Sequence, residues 1–89
     1  MNVPAAPEVV VWSREDCPLC DELLAELWPL LAARGLHPEV RDVDSDLVAL
    51  RRYGLKVPVV EVAGEAVCHG HLDAEAVLEV LGARGVSPV

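Results

Sequence analysis

Two thiols, Cys17 and Cys20, are separated by two residues in the stretch Ser13-Arg14-Glu15-Asp16-Cys17-Pro18-Leu19-Cys20. An apolar run, Val9-Val10-Val11-Trp12, precedes them and a leucine-rich pattern follows. A Cys-x-x-Cys where a strand meets a helix points to dithiol redox chemistry. The first turn of a helix has unpaired backbone N–H groups and carries the positive end of the helix dipole. A thiolate placed there is stabilised and becomes a nucleophile near neutral pH. Cys17 is therefore the expected nucleophile. Cys20 lies about one turn further on, within reach for closing a disulfide. Pro18 suits the first helical position, where its missing N–H removes no bond.

The elements that must position these thiols can be read in order. Residues 8–13 form a buried strand, β-branched and closed by Trp12. From Pro18 to about Arg34, Leu19, Leu23, Leu27, Leu30 and Leu31 recur at helical spacing. Pro29 is expected to kink that helix or end it early, and Gly35 to stop it. Residues 37–43 form a second strand. Asp44 or Ser45 caps a short helix carrying Leu47, Val48, Leu50 and Tyr53, which Gly54 ends. Residues 57–62 form a third strand, Ala63-Gly64-Glu65 a tight turn, and residues 66–69 a fourth strand in a hairpin with the third. Asp73 caps a last helix with Ala74, Val77, Leu78 and Leu81 on one face, ended by Gly82 and Gly85. The order β-α-β-α-β-β-α implies a four-stranded mixed sheet with helices on both faces.

Composition bounds the function. Eighty-nine residues, 53% hydrophobic and 25% charged, make one domain over residues 1–89, with a Pro/Ala leader at 1–7 and a tail at 86–89. The net charge of −8 argues against nucleic acid and anionic membrane surfaces as partners. No apolar run approaches the ~18 residues of a spanning helix, and the N-terminus lacks the pattern of a secretory signal. The expected location is cytoplasmic and the default state monomeric. In the cytoplasm a Cys-x-x-Cys is catalytic or metal-binding more often than structural.

Three features in order resemble the glutaredoxins, and more closely a glutaredoxin-like group of small bacterial proteins in the thioredoxin superfamily. They are Cys17-Pro18-Leu19-Cys20 after the first strand, Val57-Pro58 opening the third, and the turn His69-Gly70-His71-Leu72-Asp73 before the last helix. The resemblance spans roughly residues 8–84 and implies a thioredoxin-like fold. It implies thiol–disulfide exchange, with Cys17 attacking and Cys20 resolving, in the service of cell redox homeostasis. Glutathione is the implied cosubstrate, protein disulfides or mixed disulfides are the targets, and no metal or organic cofactor is required.

Further residues take roles from the same resemblance. The Val57–Pro58 bond is expected to be cis and to face the cysteines. The Val57 backbone is expected to pair with an extended substrate or with the cysteine of glutathione. Arg14 stands where glutaredoxins commonly carry a Lys that supports the thiolate and the glutathione carboxylate. Leu19 replaces their usual Tyr, and His69-Gly70 their Gly-Gly pair. Asp73 either caps the last helix or contacts the ligand amine, capping being the leading role. Asp16 replaces the Trp that thioredoxins carry before the first Cys. Glu15 and Asp16 oppose a thiolate, so Cys17 is expected to ionise less readily than the nucleophile of a typical glutaredoxin.

Two other readings compete. One is a thioredoxin-fold interaction module that binds a basic partner in the Val57-Pro58 groove without redox turnover. The other is a structural zinc site built from Cys17, Cys20, Cys68 and either His69 or His71.

Overall fold

The structure, a computed structural model, describes residues 6–89. Most of the expected leader lies outside the described residues. Strand β1 (Val9–Ser13) leads into helix α1 (Pro18–Ala32). Strand β2 (Glu39–Asp42), a 3-10 turn (Val43–Ser45) and helix α2 (Leu47–Tyr53) follow. Strands β3 (Val59–Val62) and β4 (Glu65–His69) form a hairpin before helix α3 (Ala74–Ala83). The sheet order is β2-β1-β3-β4, with β1 parallel to β2 and antiparallel to β3. This is the expected thioredoxin-like architecture.

The unbroken apolar run of β1 is explained by its central place, since both of its faces are covered. Val9 and Val11 join Val60 and Val62 of β3 on one face, under Leu23, Leu27 and Leu31 of α1 and Val77 and Leu81 of α3. Val10, Trp12 and Val59 point the other way, against Val43 and Ala49, with Tyr53 and Val57 at the margin. Helices α1 and α3 thus cover one face and α2 the other. Fully burying each such Val or Leu contributes about 1.5–3 kcal/mol.

Several boundaries differ from those expected, each for a local reason. Pro29 lies inside α1, which runs on to Ala32. It sits on the exposed side, as does Ala25, whose carbonyl loses its helical donor to the proline. Gly35, at φ +71°, then reverses the chain so that the Leu36 N–H returns to the Leu31 carbonyl at 2.8 Å. The cap of α2 is Asp46, whose carboxylate accepts the Ala49 N–H at 3.0 Å, and not Asp44 or Ser45. Those two residues belong to the 3-10 turn.

The hairpin turn is Ala63-Gly64, both at positive φ, and Glu65 already pairs with Val62. Gly82 is helical, so the end of α3 falls to Gly85, beyond which the Val86 N–H reaches the Leu81 carbonyl. In β4, Val60 pairs with Cys68 and Glu61 with Ala66, leaving Val67 as an extra residue in a bulge. The tail is tied back by the Val89 N–H, which donates to the Ala33 carbonyl at 2.9 Å.

Candidate functional site

Parallel pairing of β1 with β2, and antiparallel pairing with β3, set which loops share an end of the sheet. Trp12 lies opposite Val59, so Pro58 falls beside Ser13, at the end from which the chain leaves for α1. Asp42 lies opposite Ser13 on the other side. The 3-10 turn and the opening of β3 therefore flank the cysteine loop.

That loop turns sharply through Asp16, at φ +54°, and places Cys17 as the cap of α1. The Cys17 Sγ accepts the Cys20 N–H at 3.1 Å, doing what a Ser or Asp oxygen does at most helix starts. Pro18 occupies the first helical position, as expected. Cys17 and Cys20 are joined as a disulfide, with their Cα atoms 5.2 Å apart. Their exposure differs: Cys17 is half-buried, whereas Cys20 has no accessible surface. Cys17 can be approached from solvent, and Cys20 only by its partner.

The Val57–Pro58 bond is cis. The Pro58 carbonyl accepts the Gly70 N–H at 2.8 Å, which ties the turn before α3 to the opening of β3. Gly70 holds φ +76° there. Asp73 caps α3, its carboxylate accepting the Ala76 N–H at 3.0 Å. Leu19 is exposed beside the cysteines, at 41%. Arg14 is turned toward the 3-10 turn and α2. Its Nε and Nη2 donate to the two Asp44 carboxylate oxygens at 2.8 and 2.9 Å, and its Nη1 to the Gly54 carbonyl at 2.8 Å. Hydrogen bonding to Arg14 holds the Asp44 carboxyl below its ordinary range.

The zinc arrangement is not assembled. Among the described residues, no three His, Cys, Asp or Glu side chains come together around one cation position. Cys17 and Cys20 are spent on each other, and Cys68 packs against the core under α1 and α3. Burial pushes the Cys68 thiol up from its ordinary value, more than a backbone hydrogen bond from Asp73 lowers it. Its strand position makes it a small apolar residue.

One constellation escaped the sequence reading. Glu61, in mid-β3, accepts the Trp12 Nε1–H at 3.0 Å and the Tyr53 O–H at 2.7 Å. Arg41 lies over the Trp12 ring, 5.8 Å from its centroid. Burial raises the Tyr53 hydroxyl above its ordinary value, and Glu61 adds to the rise. A carboxylate amid valines, with two aromatic donors elsewhere in the chain, was the available signal. The group binds α2 to the sheet and leaves the sulfur chemistry to the cysteine loop.

Fold and site together define a glutaredoxin-like protein of the thioredoxin superfamily. The profile of the Glutaredoxin-like domain (DUF836) family matches residues 8–82, and the chain belongs to that family. Protein Ne2328 from Nitrosomonas europaea, solved by solution NMR, is 29% identical, with a TM-score of 0.77 over 90% of this chain and 96% of that one. Oxidised glutaredoxin 2 from Chlamydomonas reinhardtii shares the fold at 19% identity, with a TM-score of 0.50 over 90% of this chain and 76% of its own. Among curated proteins, none matches.

Proposed function

We propose that the protein catalyses thiol–disulfide exchange through Cys17 and Cys20. The observation that carries this reading is the disulfide pair at the start of α1, with a half-buried outer sulfur that accepts a helix N–H and a fully buried inner one. In the reduced protein the Cys17 thiolate attacks a substrate disulfide. A Cys17–substrate bond forms, the substrate S–S bond breaks, and the leaving thiolate takes up a proton. The Cys20 sulfur, losing its own proton, then displaces the substrate from Cys17. The second substrate thiol leaves and the Cys17–Cys20 disulfide remains. Two electrons have passed from the protein to the substrate.

Polypeptide disulfides are the proposed targets, with Val57 and Pro58, at the end of the sheet from which the cysteine loop leaves, as the backbone against which an extended segment pairs. Glutathione is the proposed small-molecule cosubstrate that returns the protein to its reduced form, at the expense of two glutathione thiols per turnover. The reducing cytoplasm is the proposed setting.

Intact-mass measurement in glutathione redox buffers, with the cysteines mapped, tests the reading. Cys20→Ser should accumulate one glutathione on Cys17, and Cys17→Ser should bring exchange down to the uncatalysed rate. A Cys17–Cys20 disulfide in the wild type, with no glutathione adduct on Cys17 in Cys20→Ser, would assign the reducing role to a protein thiol instead. Cysteines unchanged across the whole buffer range would overturn exchange altogether.

A further inference from the structure

Residues 13–22 hold four carboxylates, Glu15, Asp16, Asp21 and Glu22, and a single basic side chain, Arg14. Glu15 and Asp16 are exposed, and neither has an ion pair among the described residues. Arg14 is thus the one cationic side chain in this stretch able to pair with an anion. Its guanidinium is a planar fork suited to one carboxylate held by two parallel bonds. The chain fills that fork itself with both oxygens of Asp44, while the Gly54 carbonyl takes the remaining nitrogen.

Asp44 does not arrive there by chance contact between two long side chains. It lies in the 3-10 turn Val43–Ser45, pinned by the fully buried Val43. Its backbone N–H donates to Asp42 at 2.9 Å, and Asp42 lies opposite Ser13. The carboxylate is presented to Arg14 from a fixed backbone. The pair remains open to solvent, with about a third of the Arg14 side chain and about half of the Asp44 side chain accessible. An incoming anion can reach the guanidinium but finds its Nε–Nη2 edge already holding Asp44.

We propose that Asp44 is a specificity-determining residue of the Cys17–Cys20 site. By filling the Arg14 fork it turns the site away from anionic disulfides and leaves polypeptide disulfides with neutral or cationic neighbours as the favoured substrates. The inference rests on the exchange activity proposed for these cysteines and names the substrates they select. In each case the reduced protein gives two electrons to R–S–S–R, releases two R–SH and closes its own disulfide.

The test is the oxidation rate of the reduced protein by three disulfides: dicationic cystamine, neutral hydroxyethyl disulfide and anionic oxidised glutathione. At low ionic strength, cystamine should react about tenfold or more faster than oxidised glutathione, and salt should narrow the gap. Asp44→Asn should raise the rate with oxidised glutathione by about three- to tenfold and change that with the neutral disulfide by less than about twofold. Adding Arg14→Gln to Asp44→Asn should remove the gain. Lys56, near the opening of β3, keeps its charge throughout and cancels from the comparison. Asp44→Ser repeats the test if the Asn variant folds poorly.

Equal wild-type rates with all three disulfides, or an Asp44→Asn protein with no gain, would overturn the proposal. A gain of the same size from Glu15→Gln, an exposed carboxylate of the same loop outside the Arg14 pair, would reduce it to long-range charge, and so overturn it as well. A protein inert toward every disulfide would remove the exchange reading itself.

Discussion

Cys17 and Cys68 are the same residue type in opposite surroundings. Cys17 takes a helix N–H and is half-buried at the rim of the fold. Cys68 faces apolar neighbours, and burial holds its thiol protonated beyond the ordinary range. After reduction, iodoacetamide at neutral pH should label Cys17 well before Cys68. The Cys68 rate should keep rising with pH where an ordinary thiol has levelled off. A raised folded-state pKa means the folded chain keeps a proton that the unfolded chain releases, so this group's contribution to stability is intact at neutral pH and declines as pH climbs through the thiol range. Equal labelling of Cys17 and Cys68 at neutral pH would contradict the burial argument. The cysteine pair and Pro58 were legible in the sequence because each breaks an expectation for its position: a thiol caps a helix, and a proline directly precedes an internal strand. Asp44 and Glu61 were not legible as partners of Arg14, Trp12 and Tyr53. Those contacts join residues far apart in the chain, and a carboxylate's partner cannot be read from its neighbours in sequence.

The elements were legible to within a residue or two, and the errors share a cause. Propensity marks where a helix or strand could end, but tertiary bonds decide where it does. Asp44, a good cap by residue type, is committed to Arg14, and the capping of α2 passes to Asp46. Residues 57 and 58 read as strand but precede β3, whose ladder begins at Val59. Pro29 stands inside α1. It contributes exposed surface and removes a helical bond from α1, so Pro29→Ala should stabilise the fold by about 1–3 kcal/mol. Urea unfolding followed by circular dichroism measures it. A loss of stability would mean that Pro29 sets the docking angle of α1 and is not merely tolerated.

For the molecule as a whole, the two cores are unequal. The cluster under α1 and α3 contains the leucines, whereas the one under α2 rests on Val10, Trp12, Val43, Ala49 and Val59. Leu27 has no accessible surface, and Leu27→Ala should cost about 2–5 kcal/mol, a large share of the roughly 5–10 kcal/mol expected of so small a domain. The midpoint of urea unfolding should fall accordingly, and a change below about 1 kcal/mol would show that this core collapses around the gap. The sheet order also leaves β2 at a margin, where a row of backbone groups is open to recruit a strand from another chain. Three of the four residues of β2 are charged, and Arg41 binds Glu8 and Glu39 across it at 2.6 and 2.8 Å. A strand arriving beside β2 would bring its own side chains alongside those charges. The margin nearest the cysteine loop is thereby guarded against aggregation while Cys17 stays open to solvent.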